Sequence, residues 1–513
     1  MTIVADLYQL SQTGQGEFTV DLQSAVSLHA LEIVRRVPNR RIVCRGYWQG
    51  QAVYAKLFLG EKAKYYAARD LRGVQSLIKA NILTPALLYS GGTAEGAIEV
   101  LIFAAIEDSL NAEQAMFDYR LDNLAKLDLA RLLVREVAKH HQTGLIQTDL
   151  YLKNFLIKKG EIYTLDGDAI RPLSSITARS QSRHNFATLI SKFDVLDATR
   201  WLPELNRIYA EERGWQEMPS LERVTRLVDA ERNYVLKKYA DEKVFRTCTD
   251  VIVEQTKRLF LAISRPCFTY KLREVLNQPN SLLDENELQR LKSGNTCTVN
   301  LAELDGQKMV VKRYNIKNIW HGFGRAFRVS RAAKSWANAH RLQLLRIATA
   351  APIALLEKRW GFIRNEAYFI TEFIKAPDAL EFFADGKIAL DQKIQATQNI
   401  ASMMFKLYLL KIEHGDFKAT NIKMVDGAPW LIDLDSLRQH RCSRSFNKRH
   451  VRDLRRLIRN WPAATSKDAT SELAINKNDS EIRSLVVQSL QAQYIGGTPI
   501  VNQWLSGIIK GFK

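Results

Sequence analysis

Hydrophobic and polar positions along this chain change period in a set order, and the order occurs twice. Around 41–59, apolar and polar residues alternate about Gly46 and Gly50, the signature of strand, turn and strand. A helical period follows over 62–80. Strand-like runs return at 82–89, which contains Pro85, and at 100–105. Helical patterns then hold over 121–141, 186–196, 220–238 and 251–262, and an opening stretch, 21–37, also reads as helix. The pattern breaks at Arg265-Pro266 and at Asn277-Gln278-Pro279-Asn280-Ser281. It then restarts with strands at 298–301 and 309–311 joined by an Asp305-Gly306 hairpin turn. A strand at 367–374, with Glu372 and Phe373 at its end, and a helix at 394–410 follow. These elements predict an α+β chain with two bilobal domains in tandem, each a small β-rich lobe leading into a helical lobe. The domains fall at 1–264 and 291–465, with a linker at 265–290 and a polar, then helical, tail at 466–513.

Length and composition agree with two folded domains. The 513 residues exceed one ordinary core, and 46% are apolar. Five scattered cysteines (Cys44, Cys248, Cys267, Cys297, Cys442) form no C-x-x-C, which argues against a disulfide framework or a zinc ribbon and suits a reducing cytoplasm. The first 17 residues lack a basic n-region, and no apolar run approaches the roughly 18 residues of a spanning helix. The expectation is a cytoplasmic protein, peripheral to a membrane at most.

Charge alters this picture. The net charge is +19 and the pI near 9.6. From 306 to 356 there is no acidic residue, while Lys317, Arg325, Arg328, Arg331, Lys334, Arg341 and Arg346 recur among Trp320, His321, Phe323, Phe327 and Trp336. A second basic run, Arg438 to Arg459, is opposed only by Asp453. Both read as surfaces for polyanions such as anionic headgroups or phosphorylated glycans. No recognised nucleic-acid module is present, so nucleic acid is not an expected partner.

Two loops carry the chemistry. His414-Gly415-Asp416-Phe417-Lys418-Ala419-Thr420-Asn421 precedes Leu431-Ile432-Asp433-Leu434-Asp435. Upstream, Gln147-Thr148-Asp149-Leu150-Tyr151-Leu152-Lys153-Asn154 precedes Tyr163-Thr164-Leu165-Asp166-Gly167-Asp168. In both, the loop Asp and Asn stand five apart, and the loop Asp and later Asp seventeen apart. This is the kinase catalytic-loop spacing H-x-D-x-x-x-x-N followed by a metal-binding Asp. Phosphoryl transfer needs positioning and charge neutralisation. Asp416 would orient the attacking hydroxyl, and Asn421 with Asp433 would hold magnesium through oxygen. Lys418 would steady the γ-phosphate, and His414 would brace the loop. Lys312 and Lys56 occupy the strand position that contacts nucleotide phosphates, with Asp70 as a partner carboxylate for Lys56. Asp435 is open between a second metal contact and a local cap. In the upstream copy Gln147 replaces the His and Tyr151 the Lys, but Asp149, Asn154, Asp166 and Lys56 are retained. His140 and His141 read as cations closing a helix. Neither copy has a full G-x-G-x-x-G loop or an A-P-E segment, which argues against a peptide-directed kinase.

Val310-Val311-Lys312-Arg313-Tyr314-Asn315-Ile316-Lys317-Asn318, Arg331-Ala332-Ala333-Lys334-Ser335-Trp336, the run 352–357 and the His414 loop together resemble the lipopolysaccharide core heptose/Kdo kinase family. The first half resembles a divergent member through Trp48-Gln49-Gly50, Ala55-Lys56-Leu57-Phe58, 70–85 and 147–168. The resemblance implies a protein-kinase-like fold, ATP and Mg2+, and a sugar hydroxyl acceptor. It also implies a lipopolysaccharide core glycolipid as partner, met at the anionic cytoplasmic face of the inner membrane. One departure stands out. The second domain has no acid where kinases pair the strand lysine with a helix carboxylate, and Ser335 lies there instead. Two rivals remain: a small-molecule phosphotransferase of the aminoglycoside or choline kinase type, whose cationic acceptors call for acidic linings, and a pseudokinase scaffold binding an anionic glycolipid.

Overall fold

In a computed structural model the chain divides into two compact units, 1–193 with 197–232, and 194–196 with 233–513. The structure describes all residues except 1–3, 13–15, 97, 284–286, 295–296, 315–328, 361–362, 462–476 and 498–513. Lys317, Trp320, His321, Phe323, Arg325, Phe327 and Arg328 therefore lie outside the described residues.

The first unit opens with a six-stranded antiparallel sheet. The lysine strand Gln51–Phe58 runs between Arg41–Trp48 and Glu99–Ala104, with Val53, Ala55 and Leu57 fully buried on one face. Helix Ala63–Lys79 follows it. The helix expected at 21–37 is instead strand Ser27–Val37, paired along its length with Arg41–Trp48. Leu28 and Ala30 enter the core while His29 and Leu31 face outward, a period of two that the apolar density of the segment conceals. The helical part is led by Asn123–Gln142. The histidines closing that helix are both buried and bonded inside the fold. His141 is buried between Tyr209 Oη at 2.7 Å and Asn185 Oδ1 at 3.0 Å, and His140 bonds Thr164 Oγ1 at 3.0 Å.

The second unit carries a seven-stranded antiparallel sheet. Two of its strands, Val251–Gln255 and Leu259–Ser264, occupy the stretch expected to be helix 251–262. β-Branched and aromatic residues on either side of a tight turn favour the hairpin, and the second strand pairs with Pro352–Trp360. The boundary consequently falls at 232/233 and not at 264. The segment 265–290, expected as a linker, belongs to the lobe. Helix Tyr270–Val275 and the turn at Pro279–Leu282 bury Leu272, Leu276, Leu282 and Leu283 against Val311, Tyr368 and Ile370. The proline and asparagine signals there mark turns inside a domain. Lys312 lies on Gln307–Tyr314, after the expected hairpin, whose Asp305 and Gly306 both have positive φ. Helix Arg331–Leu344 covers the sheet through Trp336, which is fully buried. The helical part contains Leu390–Leu409, Ser443–Ile458 and Lys477–Gly497. The last helix belongs to the core: Tyr494 stacks edge-on to Phe405 and bonds His450 at 2.7 Å. No helix among the described residues is long and apolar enough to cross a membrane.

Burial drives the imidazoles of His141 and His450 down to about 3, and that of His340 to about 4. Each is neutral in the fold while its unfolded counterpart takes a proton near 6.5. Below that value the unfolded state binds more protons, so stability falls with pH, by about 1.4 kcal/mol per pH unit for each such group. Urea midpoints should drop between pH 7.5 and pH 5, where most carboxylates are still ionised. A His450→Gln variant should show a shallower drop, and equal midpoints at both pH values for the wild-type chain would contradict the assignment.

Candidate active site

The second unit gathers the expected residues into one cluster. Lys312 Nζ lies 2.5 Å from Asp433 Oδ1 and 3.4 Å from Asp435 Oδ2. Burial opposes the lysine's charge, but Tyr314, Asp433 and Asp435 outweigh it and raise its pKa. Burial likewise favours the proton on Asp433, yet Lys312 holds its pKa below the ordinary value. Asp433 has φ 60° and ψ 62°, a left-handed conformation uncommon for a side-chain-bearing residue, followed by the tight turn Leu434–Ser436. Ser335 does not replace the missing helix acid, because its hydroxyl bonds Tyr314 Oη at 3.0 Å. Arg331, at the helix start, pairs with Asp435, which is nearly buried. Asp435 thus bridges the lysine strand and the helix.

The catalytic-loop residues are fixed from behind. Asn421 donates its amide hydrogens to the Asp416 carbonyl at 2.9 Å and to Asp416 Oδ2 at 3.0 Å. Lys418 Nζ is 3.2 Å from Asp416 Oδ2. His414 is completely buried, and its Nε2 donates to the Ile432 carbonyl at 3.1 Å, tying the loop to the residue before Asp433. Burial lowers its pKa against the charges of Asp453 and Asp433, so it is a neutral brace. Gly415 has φ 84°, and a Cβ there would stand 2.9 Å from Ser436. Asp453, on helix Ser443–Ile458, accepts from the backbone N–H of His414 at 2.8 Å and of Gly415 at 3.1 Å. Arg456 donates to the Gly415 carbonyl and to Asp453.

Sequence reasoning missed Asp453 and Arg331 as parts of the site. The signal for Asp453 was its isolation, a single acid in a run of cations. Arg331 and Arg341, read as part of an anion-binding surface, are engaged internally: Arg341 is buried and bonded to Asn338 and Asp241. Trp336 is core. Lys334 remains exposed.

The first unit builds the same local arrangement with different residues. Lys56 Nζ reaches Asp70 Oδ2 at 2.6 Å and Asp166 Oδ1 at 3.2 Å. Asp166 is also left-handed, at φ 65° and ψ 72°. Asn154 donates to the Asp149 carbonyl at 2.8 Å. Gln147 does what histidine does in the second loop, its Nε2 donating to the Leu165 carbonyl at 3.1 Å. Tyr151, in the position of Lys418, lies beneath Lys153 and Lys192, whose Nζ atoms are 5.2 and 4.7 Å from its ring centre. Burial, then the Asp166 charge, raises the pKa of Asp149. Arg69 pairs with Asp168 through two donors, Nε and Nη2, as Arg331 does with Asp435 through one. The helix-to-Asp bridge is therefore present in both units, and the helix carboxylate in the first.

Magnesium was expected at Asn421 with Asp433 and at Asn154 with Asp166. In each pair the asparagine's amide N–H is committed to the loop, so its oxygen remains for a hard cation. Among the described residues no three or more His, Cys, Asp or Glu are grouped to hold a metal ion. Two oxygen ligands fit magnesium shared with nucleotide phosphates, the usual way that ion is held.

An antiparallel sheet with a lysine strand, a covering helix, and an Asp-Asn loop facing a second Asp define a phosphotransferase-type site. Residues 274–475, all within the second unit, match the model of the lipopolysaccharide kinase (Kdo/WaaP) family. That match supports a kinase, an enzyme that transfers a phosphoryl group. No curated protein matches the chain.

Asp453 supplies a test of the bracing. Asp453→Ala leaves one buried and one partly buried N–H without an acceptor and loosens the loop that carries Asp416. Turnover should fall roughly 100-fold with a small change in KM for ATP, and Asp453→Asn, which keeps one acceptor, should recover most of it. An unchanged kcat in the alanine variant would remove Asp453 from the site.

Proposed function

We propose that the chain is an ATP- and magnesium-dependent kinase that phosphorylates a heptose or Kdo hydroxyl of the lipopolysaccharide inner core, with the second unit as the transferring site. The observation that carries this reading is the convergence of Lys312, Asp416, Asn421 and Asp433 within the family-matched segment. In the reading, Asp416 receives or orients the proton of the sugar hydroxyl and Lys418 steadies the transferred group. Lys312 contacts the nucleotide phosphates, and Asn421 with Asp433 holds the metal, which neutralises phosphate charge when bound.

The two units would be tandem copies of one kinase-like domain. The first, with Lys56, Asp70, Asp149, Asn154 and Asp166 assembled, would be a second nucleotide site that either transfers or binds substrate. The protein would work at the cytoplasmic face of the inner membrane. A small-molecule acceptor fits less well, because the residues beside the loop are basic where a cationic alcohol needs acids. The experiment is mass spectrometry of lipopolysaccharide core from cells with and without the gene, joined to transfer of labelled phosphate from ATP to purified core. One phosphate fewer in the deletion strain is expected. An unchanged phosphate count together with no transfer in vitro would refute the reading and favour a scaffold.

A further inference from the structure

Helix Ser443–Ile458 braces the catalytic loop with one face and presents the other to solvent. Phe446, His450, Val451, Asp453, Leu454, Leu457 and Ile458 are buried. Arg444, Lys448, Arg452 and Arg455, with Arg459 at the C-terminal end, are exposed. At about 100° per residue these five fall within an arc of roughly 80°, so they form one ridge about 22 Å long. None of the five shares an ion pair or hydrogen bond with a carboxylate among the described residues. The two remaining cations point toward the site: Arg456 bonds Asp453 and the Gly415 carbonyl, and Arg449 lies 3.9 Å from Glu413. The single acid of the helix, Asp453, is buried on the loop side, so no acid of this helix interrupts the ridge.

An ordinary solvated helix face intersperses its cations with Glu or Asp at helical spacing, and such pairs stabilise it. Five like charges in a row instead repel one another, a cost that an anionic surface removes. We propose that this ridge docks the protein onto a bilayer through anionic phospholipid headgroups. The straight form of the ridge suits a planar array of phosphates. The same helix carries Asp453, so docking brings the Asp416 loop to within about one helix diameter, roughly 10 Å, of the headgroup plane. An acceptor sugar attached to a lipid would meet the loop there. The proposal rests in part on the lipopolysaccharide reading, which favours a lipid surface over nucleic acid as the polyanion.

The test uses the full chain and sucrose-loaded vesicles of phosphatidylcholine alone or with 30% phosphatidylglycerol, without sugar acceptor. The protein should sediment with the anionic vesicles only, less so as salt rises from 50 to 300 mM. A variant with Arg444, Lys448, Arg452, Arg455 and Arg459 all changed to Gln should bind these vesicles at least 100-fold more weakly, since each cation near a charged bilayer contributes severalfold. Its thermal midpoint and its phosphate transfer to delipidated core should be unchanged. A second variant loses the same charge elsewhere, at Lys62, Lys64, Lys79, Lys159 and Arg223, and should bind as wild type. Equal loss in both variants would reduce the effect to net charge and overturn the proposal. So would duplex DNA competing the protein off the vesicles at nanomolar concentration. Vesicle binding by the ridge without transfer to core would keep the docking surface and discard the enzymatic reading.

Discussion

Asp416→Ala should reduce phosphate transfer to core by at least about 10³-fold while leaving the thermal midpoint within a degree or two of wild type. The carboxylate is held by the Asn421 amide at 3.0 Å and Lys418 at 3.2 Å, and its backbone carbonyl also accepts from Asn421. It is only partly buried, so truncation removes little packing. What it removes, on the proposed mechanism, is the carboxylate that would receive the hydroxyl proton. Asp416→Asn keeps the shape and the hydrogen bond to the loop but not the basicity, and should be nearly as inactive. The matched change in the first unit, Asp149→Ala, separates the roles of the two units. Full activity in Asp416→Ala with loss in Asp149→Ala would move the transferring site to the first unit.

Gly73→Ala should destabilise the first unit by about 3 kcal/mol or more, a fall in its melting temperature of roughly 6–12 °C. Helix Ala63–Lys79 meets the Asp166-Gly167-Asp168 turn backbone to backbone. A Cβ on Gly73 would stand 1.9 Å from the Gly167 carbonyl oxygen, and one on Gly167 2.4 Å from the Asp70 carbonyl oxygen. Both obstacles are main chain, so no rotamer change relieves them. The helix must retreat, and with it go the Lys56–Asp70 pair and the Arg69–Asp168 bridge. Nucleotide binding to this unit should weaken together with its stability. Gly386→Ala, where nothing lies within 4 Å of the new methyl, is the control and should be neutral. A Gly73→Ala chain that melts with the wild type would show that the helix does not need this close approach.

Much of the chemistry was written in local spacing. A loop that presents Asp and Asn five residues apart, and a hairpin that returns Asp twelve residues later, are short-range constructions. Asp416, Asn421 and Asp433, like Asp149, Asn154 and Asp166, could be named from sequence because one turn and one hairpin bring them together. Lys56 with Asp70 was legible for the same reason, a strand and the next helix. The α+β class and the helices Ala63–Lys79, Asn123–Gln142, Leu221–Leu236 and Leu390–Leu409 followed from periodicity.

Other features required distant chain segments to meet. Asp453 is 39 residues from the His414 amide it holds, and Arg331 is 104 residues from Asp435. No spacing rule reaches across such gaps. The hairpin at 251–264 and the strand at 27–37 looked helical because apolar density alone cannot separate a short buried strand from a helix; pairing with Pro352–Trp360 and Arg41–Trp48 decided them. The boundary near 232 moved with them, since a strand belongs to the sheet that satisfies its hydrogen bonds. The sequence by itself determined which side chains stand together in the two candidate loops. Tertiary packing alone decided what holds them, and which arginines close salt bridges inside the fold and which five line up on its surface, because burial and long-range pairing are properties of the assembled chain.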